Sequence, residues 1–242
     1  MLSELIRANT EQVDLIVLPE MCTTGFSMEA KQLAEKMDGP SMSWLRELSS
    51  EKDAAIVCSL IMEENNRYTN RLIFMKPDGD FLYYDKRHLF SFAGEHQHFS
   101  AGTEPLVVEY KDWRIMPLVC YDLRFPVWSR NKIMLNNRAA YDVLIYVANW
   151  PEARRKPWIN LLEARAHENQ AYVVGVNRVG TDGKNISYVG DSAALSMKGE
   201  TLVSFEKGEV GCRTVSFDKN DLTDFRTKFP ALDDADDFEI NY

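Results

Sequence analysis

At 242 residues with 45% hydrophobic content the chain can bury a full core, and no Pro/Gly/Ser-rich linker divides it, so one domain spanning 1–242 is expected. A formal net charge of −9 and a pI near 5.1, with no basic stripe to offset them, argue against nucleic acid or an anionic membrane as partner. No apolar leader opens the chain, its apolar runs are too short to span a bilayer, and Cys22, Cys58, Cys120 and Cys212 form no CxxC pair, which together point to a cytoplasmic protein with reduced thiols.

In chain order, helical periodicity covers Leu2 to Glu11, and an apolar strand, Asp14 to Leu18, then runs into Pro19-Glu20. A helix over Ser41 to Lys52 precedes strands Ala54 to Glu63 and Arg71 to Lys76. Pro77-Asp78-Gly79-Asp80 is a hairpin turn into strand Asp80 to Tyr84, with Lys86 just beyond. Strands Val107 to Tyr110 and Arg114 to Val119 follow, the second stopping on Cys120. Pro126 then leads a helix expected over Val127 to Asn137. The remaining pattern reads as strand Asp142 to Ala148, helix Trp158 to Gln170, and strands Ala171 to Val179, Ser192 to Ser196, Thr201 to Glu206 and Arg213 to Phe217. The acidic run Asp233-Asp234-Ala235-Asp236-Asp237 reads as a solvated tail. Helices interleaved with strands in one half and hairpins in the other predict mixed sheets covered by helices.

Three ionisable groups of different kinds thus stand at strand ends: Glu20, Lys86 and Cys120. A lone cysteine is more often small apolar packing than chemistry. One that ends a buried strand before a Pro-led helix lies near backbone N–H groups and a positive helix end, where a nucleophilic thiolate is stabilised. Glu20, directly after buried-type residues, lies at the floor of a cleft, where burial raises a carboxylate toward the range of a general base. His96-Gln97-His98 suggests a metal at first sight, but no further Cys/His/Asp spacing converges on it, so no metal is expected.

The phrases LPEMCTTGFS, YYDKRHLF and LVCYDLRFP resemble, in that order, the glutamate, lysine and cysteine motifs of the nitrilase (carbon–nitrogen hydrolase) superfamily. YVANWP, ARAHENQAYVVGVNRVG, GDSA and KFPALDDADDF extend the resemblance over nearly the whole chain, toward the bacterial omega-amidase branch. It implies an α/β fold (α+β in some schemes), a four-layer α-β-β-α sandwich of two mixed sheets, and by analogy a homodimer. Glu20 is then the base, Cys120 the nucleophile and Lys86 the catalytic cation, which would lower the thiol pKa and neutralise the tetrahedral intermediate. Glu95 matches a second glutamate that orients Lys86 and the attacking water, and the Tyr121 backbone N–H is the second oxyanion donor. Phe26, His88, Arg124, Asn149 and Trp150 are pocket candidates, with an arginine or histidine to bind a substrate carboxylate.

The activity implied is hydrolysis of a small ω-amide such as 2-oxoglutaramate through a cysteine thioester. The alternatives are an N-carbamoyl-amino-acid amidohydrolase or a nitrilase and, more remotely, a non-catalytic binding protein. One departure stands out. Family members open with a strand of the type KIALIQ, whereas this chain starts at Met1-Leu2-Ser3-Glu4, already in the first helix, either shortened or begun at an internal methionine. An unpaired sheet edge and a bare apolar face are therefore expected, with a more stable form if the reading frame extends upstream.

Overall fold

The structure is a computed structural model that describes residues 1–135 and 137–240. Helix α1 (Leu2–Ala8) leads to strand β1 (Leu15–Val17), a single short turn α2 (Ala30–Leu33) and helix α3 (Pro40–Lys52). Proline at the first turn of α3 forfeits no hydrogen bond, and Asp53 at φ 47° ends it in the left-handed region. Strands β2 (Ala55–Glu64), β3 (Arg67–Met75) and β4 (Phe81–Asp85) complete a sheet of order β1-β2-β3-β4, in which β1 runs parallel to β2 and the other pairings are antiparallel.

The second sheet draws on β5 (Val108–Tyr110), β6 (Trp113–Val119), β7 (Val143–Ala148), β8 (Tyr172–Asn177), β11 (Ala193–Leu195) and β12 (Thr201–Ser204), in the order β12-β11-β8-β7-β6-β5. Its centre is parallel and its flanks antiparallel. Strands β9 (Val179–Thr181) and β10 (Ser187–Val189) form a separate hairpin. Helix α4 (Arg155–Asn169) precedes β8, and α5 (Lys219–Lys228) lies near the end.

Alternation along β2 and β3 builds the layers. Val57, Leu72 and Phe74 face the second sheet and pack with Leu118 and Val147, while Ile56, Cys58, Ile73 and Met75 face Leu45 and Leu48 of α3. On the far side, Gly175 of β8 lets α4 approach closely, since a Cβ there would meet Leu162 at 2.4 Å and Trp158 at 2.9 Å. Helix, sheet, sheet and helix are stacked in the expected four layers of an α/β sandwich, with both sheets mixed.

The local expectations fail in identifiable places. No helix forms over 127–135: Asn131 uses its side chain to bond Tyr141 O (3.1 Å) and Asn169 O (3.0 Å), and an isolated bridge joins Ile133 to Ala139. Asn136, inside that predicted helix, lies outside the described residues. β3 starts four residues earlier than expected, because Asn65 and Asn66 both adopt positive φ (52° and 61°) and close a two-residue hairpin. The expected strand Ala171 to Val179 is split at Arg178 into β8 and β9. No element is expected over 219–228, where α5 forms with Asp218 capping it by accepting from Asn220 N (2.7 Å).

Among the described residues the outer edge of β1 has no strand partner, and Arg213–Phe217 does not form the strand expected of it. A channel of about 1040 Å³ separates them, walled by Leu15, Val17, Ile115, Ile145, Val174 and Val203 and reaching inward to Glu20 and Asn149.

Candidate active site

Each candidate side chain is delivered where the chain leaves a strand. Past β1, Met21 takes φ 44° and donates its N–H to Ser59 Oγ (2.8 Å), which folds Glu20 back under the sheet at 1% exposure. Past β4, the Lys86 N–H donates to Asn70 O (3.0 Å) and the Lys86 carbonyl accepts from Gly102 N–H (3.0 Å), so the main chain is held on both sides of an equally buried lysine. Glu95 opens a 3₁₀ turn, Glu95–Gln97, directly after Gly94 at φ 78°. Cys120 directly follows β6 at φ 45° and begins the 3₁₀ turn Cys120–Arg124. This corrects the expected strand-to-helix junction: no Pro-led helix follows, so no helix N-terminus supplies its positive end to the thiol.

The four side chains converge. The Lys86 ammonium donates to Glu20 Oε1 (2.9 Å) and to both Glu95 oxygens (3.0 and 2.9 Å). Asn70 Nδ2 bridges the same two carboxylates, reaching Glu20 Oε1 at 2.8 Å and Glu95 Oε1 at 3.2 Å. The second oxygen of Glu20 accepts the Asn149 backbone N–H at 2.8 Å, and Asn149 Nδ2 donates to the Glu20 carbonyl at 2.7 Å. Phe90 N–H closes the far side of Glu95 at 2.5 Å.

Electrostatics follow from this packing. Burial alone would depress the Lys86 ammonium, at several kcal/mol per desolvated ion, but two carboxylates at 2.9 Å repay that and hold it above its ordinary value. Two carboxyl groups surround the single ammonium of Lys86. Burial chiefly, then Glu20, pushes the Cys120 thiol well above its ordinary range; Lys86 and the Asn149 N–H pull the other way without reversing it. The expectation that Lys86 lowers the thiol is right in direction and too weak in size. The arrangement favours a neutral thiol at rest beside a base, with transfer of its proton to Glu20 leaving the site's net charge unchanged.

The pocket candidates divide. Phe26 faces the lysine, its ring centre 5.6 Å from Nζ. Asn149 touches Glu20 directly, and Trp150 is buried, its N–H on Asn177 Oδ1 (2.7 Å) and its indole on the Arg154 carbonyl (2.7 Å). Arg124 lies 4.9 Å over the Trp150 ring. His88 is committed elsewhere: its ring stacks on Phe125 at 3.8 Å and its Nδ1 sits 2.8 Å from Asp122. The Tyr121 ring packs edge-on against Phe90 at 4.9 Å. His96 and His98 are exposed, and among the described residues no three His, Cys, Asp or Glu side chains converge as metal ligands. Of the other cysteines, Cys58 is buried in the core under α3 and Cys212 is exposed.

Sequence reasoning missed Asn70 and Asp122. Asn70 lay in the stretch before the expected start of β3; recognising Asn65-Asn66 as a hairpin turn would have placed it on the strand facing Glu20. Asp122 lay inside the cysteine motif in plain view, but nothing local marks it as buried.

A family model, Carbon-nitrogen hydrolase, matches residues 1–227. The chain is 46% identical over 235 residues to an omega-amidase YafV of Yersinia enterocolitica, covering 97% of this chain and 89% of that protein. It is 31% identical over 232 residues to a 2-oxoglutaramate amidase of Bacillus subtilis, covering 95% and 87%. The crystal structure of a CN-hydrolase superfamily protein from Xanthomonas campestris, with an arsenic adduct in its active site, superposes with a TM-score of 0.94 at 44% identity over 99% of this chain and 91% of that one. Motifs, sheet architecture and the matched length agree, and the chain belongs to the carbon–nitrogen hydrolase family.

Proposed function

We propose that this protein hydrolyses a small ω-amide of the 2-oxoglutaramate type to carboxylate and ammonia through a thioester on Cys120. The observation that carries this is the buried Lys86 ammonium shared by Glu20 and Glu95 at 2.9 Å, with Asn149 N–H on the free oxygen of Glu20. Relatives named omega-amidase and 2-oxoglutaramate amidase support the substrate class.

Glu20 removes the Sγ proton as the sulfur attacks the amide carbon, and the carbonyl electrons move to oxygen. Lys86 and the Tyr121 backbone N–H stabilise that oxyanion. On collapse the C–N bond breaks, Glu20 returns its proton to nitrogen, and ammonia leaves. Water then gives a proton to Glu20 and adds to the thioester; C–S cleavage yields the acid, and the sulfur recovers its proton. Glu95, bonded to Lys86 through both oxygens, keeps the ammonium charged and aimed throughout. No step calls for a cofactor.

For the substrate carboxylate we assign Arg124 and Arg154. Arg124 lies over Trp150, and Arg154 lies over Phe90 at 5.2 Å, so aromatic faces rather than carboxylates hold both guanidinium groups. Neither has an ion-pair partner among the described residues. The resemblance extends this reading to a cytoplasmic homodimer, which sedimentation equilibrium checks.

Ammonia release measured in parallel from 2-oxoglutaramate, N-carbamoyl amino acids and simple nitriles tests the assignment. 2-Oxoglutaramate should be turned over fastest, and a larger kcat/KM for either other class transfers the protein to that branch. Cys120 should also react with a thiol-directed substrate analogue faster than Cys22, Cys58 or Cys212; equal labelling would favour a non-catalytic protein.

A further inference from the structure

Lys86 and Cys120 stand at the ends of β4 and β6, strands of opposite sheets, so something must hold the two ends in fixed register. Asp122 is fully buried and uses both carboxylate oxygens twice. Oδ1 accepts the His88 backbone N–H at 2.9 Å and lies 2.8 Å from His88 Nδ1. Oδ2 accepts the Tyr84 hydroxyl at 2.9 Å and the Val119 N–H at 3.0 Å. The Tyr84 oxygen in turn accepts the Arg87 N–H and the Trp128 indole N–H, each at 3.0 Å.

The bonded groups bracket the two catalytic candidates. Tyr84 and His88 stand two residues before and two after Lys86, and Arg87 is its direct neighbour. Val119 and Asp122 stand one before and two after Cys120. A single carboxylate therefore ties the main chain around the lysine to the main chain around the cysteine. It also satisfies the Val119 N–H at the point where β6 turns into the positive φ of Cys120.

We propose that Asp122 is a positioning residue that sets the distance between the Lys86 ammonium and the Cys120 sulfur, without touching substrate. This rests on the reading of Lys86 and Cys120 as the catalytic pair. Asp122→Asn keeps the shape but puts an N–H₂ in place of one oxygen, so one of the two accepting sides, toward Val119 and Tyr84 or toward His88, is lost.

The test measures kcat, KM and the rate of Cys120 alkylation by iodoacetamide, the last needing no substrate, well below the melting temperature of each variant. Asp122→Asn should lower kcat at least tenfold with KM within twofold, and slow Cys120 alkylation by a similar factor. Tyr84→Phe, which removes one bond to Asp122 and leaves its carboxylate, should produce the same split at smaller size and decides the matter if Asp122→Asn does not fold. Variants that melt lower yet keep kcat and the alkylation rate within twofold of the parent would reduce Asp122 to a structural residue. If the parent enzyme releases no ammonia from 2-oxoglutaramate, the substrate reading fails, while the alkylation rates still judge the positioning role.

Discussion

Cys120 combines three properties that rarely coincide in one residue: near-complete burial, φ of 45°, and a thiol held protonated. A non-glycine residue in the left-handed region costs about 1–3 kcal/mol and persists only where its surroundings hold it; next to it the Val119 N–H donates to the buried Asp122 at 3.0 Å. Replacing the sulfur removes the proposed nucleophile and leaves that backbone framework in place. Cys120→Ala and Cys120→Ser should therefore cost at least ~10³-fold in kcat while melting near the parent, because an alcohol is far harder to deprotonate and nucleophile and base act as one unit. Retention of a tenth of the activity by Cys120→Ala would overturn the thioester mechanism. The same environment dictates a pH dependence. Folding raises the Cys120 thiol above its ordinary 9.0 and the Lys86 ammonium above its ordinary 10.5, so the folded chain holds both protons more tightly than the unfolded one. Their stabilisation is fully present below about pH 9 and is lost as pH rises beyond it. A melting curve series from pH 7 to 11 should show a decline beginning near pH 9 that is shallower in Cys120→Ala; identical profiles for parent and variant would contradict the raised thiol.

At the scale of elements, the end of β4 matters most, since it carries Lys86. Gly102 packs against it so closely that a Cβ would sit 2.2 Å from the Asp85 carbonyl oxygen and 2.9 Å from its carbon, both backbone atoms that cannot swing away. Gly102→Ala should displace the Asp85-Lys86 peptide, destabilise the fold by about 2 kcal/mol and lower kcat more than tenfold. Thermal melts and steady-state kinetics read the two effects, and a variant with parental kcat would show that the lysine is held independently of this contact. Element boundaries were legible where local chemistry is strong: α3, expected over Ser41 to Lys52 and found over Pro40–Lys52, the Pro77–Asp80 turn, and β6 running up to Cys120. They were not legible where a distant partner decides. Residues 127–135 carry helix-compatible periodicity, but Asn131 gains more by bonding the main chain at Tyr141 and Asn169 than by joining a helix. α5 is fastened by Lys219 and Arg226 to the buried Asp142, at 2.5 and 3.0 Å, which no pattern within the helix foretells.

For the whole molecule, the decisive feature is the channel of about 1040 Å³ between the edge of β1 and Arg213–Phe217. Its apolar walls are surface that a closed core would remove from water, at about 25 cal/mol per Å². Glu20 and Asn149 are among the residues that line the channel. The folded protein should therefore bind an apolar fluorescent dye such as ANS well below its melting temperature. Val174→Trp, which adds bulk to a channel wall, should reduce that binding. Dye fluorescence that first appears with unfolding would mean that the channel is closed in solution.

Three ionisable side chains at strand ends, Glu20, Lys86 and Cys120, were legible in the sequence because each follows a run whose period and apolar content mark a buried strand, while the roles expected of them came from the family motifs. Alternation predicted mixed sheets covered by helices, and the four-layer sandwich followed from the family motifs alone. What the tertiary structure alone decided are contacts across long separations: Asn70 to Glu20 over 50 residues, Asn149 to Glu20 over 129, and Asp122 to the two flanks of Lys86. Periodicity records how a residue relates to its neighbours in the chain. It carries no term for which buried donor meets which carboxylate once two sheets close face to face, and in this protein those meetings set the charge, the proton position and the register of the site.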